Sequence, residues 1–311
     1  MRTLGMAAVA FAAALVLGAL PAAAQLQNLP PWVEATIVGL GPNLNSDMIQ
    51  KSFAAMRPLQ APRDELAVER NASYGGDPLQ KLDLWRPVGK PAAGGAPIVL
   101  FVHGGGFVRG DKGDYDNIPA YFARHGMVGA NMNYRLAPKA KYPDATLDVG
   151  SAVQWLAANA ARYGGDPKRI VVVGHSAGAA IVASYALDLS IETTRTGVVG
   201  AVIISVPAGH TGERRTADNV YYGTNAAKDE PLAHVGDGSK MPLLIAMTEF
   251  DPAALAADSH EVAAALCLRD KICPPFLWLS GHNHISEVAT LDTKDDRLGS
   301  TIAEFVARVA P

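Results

Sequence analysis

Ser176 stands in the run Gly174-His175-Ser176-Ala177-Gly178, directly after the apolar stretch Ile170-Val171-Val172-Val173 and directly before small residues that read as a helix. That order is a nucleophile elbow. A serine on a tight strand-to-helix turn is pushed out above the sheet edge, and the flanking glycines leave room for backbone that a larger residue would strike. An ordinary strand-to-helix turn can carry the same three fixed positions, so the pattern needs company. It has it upstream, where His103-Gly104-Gly105-Gly106 follows a second apolar run, Ile98-Val99-Leu100-Phe101-Val102. Three successive glycines let the chain turn with its N–H groups pointing into a cavity, ready to hold the negative oxygen of a tetrahedral intermediate. Gly105, Gly106 and Ala177 are the expected donors. A glycine run alone is also the composition of a plain surface turn. The two motifs together, each behind its own buried-type strand, point to acyl transfer with Ser176 as nucleophile.

These residues resemble the α/β-hydrolases of the hormone-sensitive-lipase-like branch, carboxylesterases that carry a His-Gly-Gly-Gly motif before Gly-x-Ser-x-Gly. The likeness continues through His103 to Lys112 (HGGGFVRGDK), Asn133 to Pro138 (NYRLAP), Tyr142 to Asp148 (YPDATLD) and Tyr163 to Gly178 (YGGDPKRIVVVGHSAG), and covers most of residues 65–310. One position departs. Many members of the branch have an aspartate before the nucleophile, whereas His175 is similar to the kynurenine-formamidase-like and feruloyl-esterase-like hydrolases. The resemblance implies an α/β fold with a mostly parallel eight-stranded sheet, flanking helices and a small cap. It implies a serine esterase acting on small or aromatic carboxylic esters through an acyl-enzyme, with no cofactor and a small-molecule ester as its partner. An amidase or formamidase of the kynurenine-formamidase type is the alternative that His175 suggests. A catalytically inactive binding protein on the same fold is a third reading, but such relatives usually lack a triad member and this chain has a candidate for each.

In this fold the triad runs serine, acid, histidine along the chain, which puts both partners after Ser176 at the ends of later strands. The strand-like run Met241 to Met247 leads into Thr248-Glu249-Phe250-Asp251-Pro252, and Asp251 is the candidate acid. Glu249 and Asp258 fit less well. Aspartate before proline is also how a helix opens, with Asp as N-cap and Pro at the first helical position, and Asp251 can serve both ways. The next strand-like run, Pro275 to Leu279, leads into Ser280-Gly281-His282-Asn283-His284-Ile285-Ser286. Matching to the family places the base just before the last helix, which favours His284 and leaves His282 as the alternative. The His-x-His pair could in principle chelate zinc, but His234 and His260 are isolated and neither cysteine has a partner at ligand spacing, so no metal is expected. His103 and His175 are expected to orient their loops by hydrogen bonds.

Residues Met1 to Ala24 combine a basic Arg2, an apolar stretch from Ala7 to Leu20 and the small residues Ala22-Ala23-Ala24, which is the three-part pattern of a secretory signal peptide cleaved after Ala24. The apolar stretch is short for a membrane span, and no later segment supplies one. The expected location is therefore periplasmic or secreted, in a bacterium. With 27 basic and 30 acidic residues the net charge is −3, and removing the signal takes away only Arg2. That leaves no basic field for nucleic acid and no polybasic membrane patch. The only cysteines, Cys267 and Cys273, flank a short polar turn and are placed to form one disulfide in an exported protein.

The remaining pattern alternates strands and helices. Leu66 to Arg70 and Lys81 to Trp85 read as an opening hairpin, followed by strands near 98–102, 127–133, 170–174, 199–205, 242–248 and 275–279, with helices over Asp144 to Arg162, Ala177 to Ser190, Pro252 to Leu268 and Ser286 to Val309. Such alternation implies right-handed crossovers and a ligand site at the carboxyl ends of the strands. Residues 25–62 are then an N-terminal cap segment, 63–311 the catalytic domain, and 207–240 a possible cap insertion. Trp32, Met48, Phe53, Met56, Tyr221 and Tyr222 are candidates to line the pocket.

Overall fold

The computed structural model describes residues 26–89, 94–209 and 220–311. The expected signal peptide, and residues 210–219 of the expected cap insertion, lie outside the described residues. Eight strands form one sheet: β1 (Leu66–Ser73), β2 (Lys81–Pro87), β3 (Ala96–Val102), β4 (Val128–Met132), β5 (Gly165–His175), β6 (Val198–Ile204), β7 (Leu243–Phe250) and β8 (Phe276–Asn283). Their order across the sheet is β1-β2-β4-β3-β5-β6-β7-β8. β2 is antiparallel to both β1 and β4, and the remaining neighbours are parallel. The opening hairpin and the mostly parallel sheet are thus as the sequence implies.

The apolar runs that look unpatterned in the sequence have a period of two in space. Ile98, Leu100, Val102, Ile170 and Val172 pack into the core on one face, and Val99, Phe101, Val171 and Val173 into the core on the other. A strand covered by helices on both faces has no solvent side and needs no polar alternation. The helices that cover it include α1 (Pro31–Leu40), α2 (Ser46–Met56), α3 (Asn117–Arg124), α4 (Asp144–Tyr163), α5 (Ala177–Leu187), α6 (Ala226–Asp229), α7 (Ala253–Asp270), α8 (Ser286–Ala289) and α9 (Arg297–Val309). No helix among the described residues is long and apolar enough to cross a membrane.

Two helices differ from expectation. The helix expected over Ser286 to Val309 is two, α8 and α9, separated by a turn in which Asp292 takes φ 69°. The break has a use. Asp292 accepts from Arg124 Nε at 2.8 Å, and Asp295 accepts from Arg297 Nε at 2.9 Å and lies 3.2 Å from His282. A continuous helix would carry these carboxylates away from their partners. The other, α5, stops at Leu187 because Asp188 turns the chain, its side chain accepting from the Ser190 N–H at 2.9 Å.

α2 opens on Asn45, whose side chain accepts from the Met48 N–H at 2.9 Å. Met48 and Met56 are buried in the core below it, and Trp32 of α1 is half exposed. Cys267 and Cys273 are joined by a disulfide between the end of α7 and the start of β8.

Candidate active site

The elbow is built by crowding. Ser176 sits between β5 and α5 with φ 55° and ψ −125°, a conformation that side-chain-bearing residues seldom adopt. A Cβ on Gly174 would lie 2.3 Å from Gly178 O, and one on Gly178 would lie 2.2 Å from Val102 O, the last residue of β3. Both glycines are therefore required by neighbouring backbone, which explains the spacing around the serine.

Upstream, Gly105 and Gly106 take φ 128° and 60° and line the same cavity as Ser176. A Cβ on Gly105 would lie 2.0 Å from Arg109 O. The loop is held from behind by residues that belong to the resemblance but carry no chemistry themselves. Tyr134 OH donates to His103 O at 2.9 Å, Asn133 accepts from the Lys112 N–H at 2.6 Å, and Arg135 Nη2 pairs with the buried Asp148 at 2.7 Å. The His103 ring stacks on Tyr134 and donates from Nδ1 to Gly104 O at 2.7 Å. Burial pushes His103 below its ordinary value, so the ring is neutral and acts as a brace. Ala177 is the first residue of α5, where helix geometry leaves the N–H without an intrahelical acceptor.

The loops that follow β7 and β8 meet beside the serine. Asp251 follows β7, and its Oδ1 lies 2.7 Å from His284 Nδ1. Asp251 does not cap the next helix: α7 begins at Ala253 after Pro252, with no side-chain cap. Glu249 accepts from the Gly281 N–H at 2.8 Å and Asp258 from the Ala208 N–H at 2.7 Å, which places both away from the histidine. With Nδ1 engaged, Nε2 is the nitrogen of His284 left for the cavity that His284 and Ser176 share. The described hydrogen bonds do not include one from the Ser176 hydroxyl to this ring. Catalytic contacts are commonly long in unliganded sites and tighten when substrate arrives.

His282 is placed differently. It is fully buried, with Nδ1 3.0 Å from Ser286 Oγ and Nε2 3.2 Å from Asp295, and it does not line the cavity. The alternative base is thus a brace for the turn between α8 and α9. His175 also has a structural partner: its Nε2 donates to His284 O at 2.8 Å, tying the serine turn to the histidine loop. Burial, with the neighbouring His284 adding to it, pushes His175 well below its ordinary value and keeps it neutral.

Three contributors carry no motif in the sequence. Asn283 donates to Ser52 of α2 at 3.0 Å and accepts from the Ser286 N–H at 2.9 Å, so the N-terminal segment clamps the histidine loop. Ser205, just past β6, donates at 2.6 Å to Asp251 Oδ2 and lies 2.6 Å from Glu287 Oε1. Glu287 is fully buried and is the second residue of α8. His175, His284 and Glu287 offer three ligand atoms within 4.8 Å of one another. The nitrogens nearest Glu287 are already committed, His284 Nδ1 to Asp251 and His175 Nε2 to a carbonyl, so a metal held by them would have to break the bonds that orient the site.

The cavity holds about 380 Å³, within the range of small-ligand sites. Leu44, Ile49 and Phe53 supply one apolar wall, and Arg109 and Asp114 stand among its polar groups. Of the expected pocket residues, Phe53 lines it. Tyr221 and Tyr222 pack against Phe107 behind the glycine loop instead, with ring centroids 4.4 and 5.5 Å away.

Residues 82–198 match the BD-FAE family. Carboxylesterase NlhH of Mycobacterium tuberculosis is 35% identical over 158 residues, covering 46% of this chain and 47% of the relative. Esterase LipC of the same organism is 35% identical over 150 residues, covering 41% of this chain and 37% of the relative. The chain thus spans less than half the length of these two curated relatives. Esterase B from Lactobacillus rhamnosis superposes with a TM-score of 0.73 at 17% identity, covering 90% of this chain and 96% of that one. An esterase from Pseudomonas putida gives 0.69 at 20% identity, covering 90% and 96%. The fold is that of the α/β-hydrolases.

Proposed function

We propose that the chain is a serine hydrolase of carboxylic esters, working through an acyl-enzyme intermediate on small or aromatic substrates. The observation that carries the reading is one cavity lined by Ser176, Gly105, Gly106 and a histidine whose far nitrogen is bound to a buried carboxylate. In this mechanism His284 Nε2 takes the hydroxyl proton as Ser176 attacks the ester carbonyl, and Asp251 stabilises the imidazolium that forms. The N–H groups of Gly105, Gly106 and Ala177 hold the oxyanion. His284 then protonates the leaving alcohol and activates water to release the acid.

The names of the relatives support the ester as substrate, and the apolar wall of Leu44, Ile49 and Phe53 suits an acyl or aryl group of modest size. No step requires a cofactor. Residues 25–62 serve as the cap, contributing that wall from α2 and the segment before it, and 63–311 form the catalytic domain. The N-terminal pattern and the Cys267–Cys273 disulfide support export to the periplasm or beyond.

Folded protein treated with a fluorophosphonate is expected to carry one adduct, on Ser176, and to lose turnover of p-nitrophenyl esters in step with labelling. Folded protein without that adduct would be a binding protein and not a hydrolase. Turnover of N-formylkynurenine far above every ester in a panel would make the enzyme a formamidase.

A further inference from the structure

Ser205 has one hydroxyl proton and two carboxyl oxygens at 2.6 Å, Asp251 Oδ2 on one side and Glu287 Oε1 on the other. It can donate to only one of them. Asp251 also accepts from the Thr248 N–H at 3.2 Å and faces His284 at 2.7 Å, the pattern of an ionised acceptor. If Ser205 donates to Asp251, the short contact to Glu287 needs a second proton, and Glu287 must supply it. We infer that Glu287 is a positioning residue held as an un-ionised carboxylic acid, passing a hydrogen bond through Ser205 to Asp251 so that a single negative charge lies beneath His284.

The surroundings agree. No cation faces Glu287 among the described residues: its neighbours are Asp251 at the end of β7, Ser205 at the end of β6, His175 Nε2 at 3.3 Å and His284 Nδ1 at 3.9 Å. His175 gives its Nε2 proton to the His284 carbonyl and stays neutral, so it offers no compensating charge. The second oxygen of Glu287, Oε2, is buried without a partner, which a carboxylate tolerates far less well than an acid. Burial and the nearby Asp251 push Glu287 well above the ordinary glutamate range. Ser205 itself is held at φ 50°, a strained backbone that sets its hydroxyl between the two acids.

The arrangement has a consequence for the base. A second negative charge 3.9 Å from His284 would favour the imidazolium and leave the ring unable to accept the Ser176 proton near neutral pH. A neutral acid supplies the hydrogen bond without that charge. The inference rests on His284 and Asp251 acting as base and acid, but its central claim concerns a protonation state that can be read without turnover.

Infrared difference spectra of the folded protein against Glu287→Gln at pH 7 are expected to show the carbonyl band of a protonated carboxylic acid that the variant lacks. Disappearance of a carboxylate band instead would overturn the inference, whether or not the protein hydrolyses esters. In kinetics, Glu287→Ala should lower kcat about tenfold, the loss of roughly one buried hydrogen bond, with KM for p-nitrophenyl acetate little changed. Glu287→Gln keeps a neutral donor and should recover most of that loss, with the acidic limb of the pH–rate profile unmoved. An acidic limb lowered by about one unit or more in Glu287→Gln would mean that an ionised glutamate had been raising the histidine, and the inference would fail. If the infrared result holds while no ester or fluorophosphonate reacts, the proposed hydrolase activity fails and the neutral acid stands.

Discussion

Ser176 and Ser205 occupy matching places on neighbouring strands. Each is the first residue past its strand, β5 or β6, and each donates its backbone N–H to the next strand over, to Ile204 O at 2.9 Å and to Ala246 O at 2.8 Å. Each has a positive φ, 55° and 50°. They part at the side chain. Ser176 lines the cavity, while Ser205 is completely buried with its hydroxyl between Asp251 and Glu287. The backbone beyond each serine differs as well: α5 begins directly after Ser176, whereas the segment after Ser205 is tied down by Ser259, which accepts from the Val206 N–H at 3.2 Å. The parallel sheet thus offers the same strained turn twice, once for the proposed nucleophile and once for a hydroxyl set against Asp251.

Exchanging each hydroxyl for hydrogen breaks that comparison most strongly. Ser176→Ala should lower kcat by on the order of 10⁶-fold, because removing the nucleophile disables the triad as a unit. Ser205→Ala should lower it only about tenfold, since Asp251 keeps the Thr248 N–H and the histidine and loses one donor. Steady-state rates on p-nitrophenyl acetate, with folding checked by circular dichroism, give both numbers. A folded Ser205→Ala protein as inert as Ser176→Ala would mean that Ser205 takes part in the chemistry.

The two serines also mark what could be read from the sequence. Ser176 is legible because its turn is crowded by backbone: Gly174 and Gly178 have no room for a Cβ, and that demand appears as a motif. The glycine loop is legible for the same reason, Gly105 lying against Arg109 O. Ser205 imposes no such demand, because its neighbours are side chains brought in from residues 251 and 287, and no local spacing encodes that meeting. Telling His284 from His282 requires the family likeness for a related reason. Both histidines sit on one short loop, and only the tertiary partners, Asp295 for one and Asp251 for the other, separate them. The strands were readable as uninterrupted apolar runs. The break between α8 and α9 was not, because Asp292 and Asp295 look like ordinary helix-surface residues until Arg124 and His282 are known to face them.

A smaller effect tests the acid on the buried side. If Glu287 stays protonated in the folded protein as inferred, then from about pH 5 upward the folded state binds one more proton than the unfolded. Stability contributed by this group is complete at low pH and falls as pH rises, by about 1.4 kcal/mol per pH unit until the folded-state acid ionises. Glu287→Gln removes the titration and leaves the other groups in place. Urea unfolding between pH 5.5 and 7.5 should therefore show the variant gaining on the parent with that slope. Parallel stability curves would show that Glu287 ionises alike in both states.

The smallest effect isolates the strain that the two turns share. Ser205→Gly and Ser205→Ala both delete the hydroxyl, so both lose the contacts to Asp251 and Glu287, and their difference reports the backbone together with the buried methyl that only alanine keeps. A Cβ at a left-handed φ costs about 1–2 kcal/mol, which glycine avoids. Glycine gives back about 0.5–1 kcal/mol through the larger entropy of its unfolded chain and about 0.8 kcal/mol through the buried methyl it lacks. Ser205→Gly should accordingly match Ser205→Ala to within about 1 kcal/mol, read as nearly equal urea midpoints at equal slope. An alanine variant more stable than glycine by about 1.3–1.8 kcal/mol would mean that φ 50° carries no strain at this turn, and the resemblance between Ser205 and Ser176 would then be one of position only.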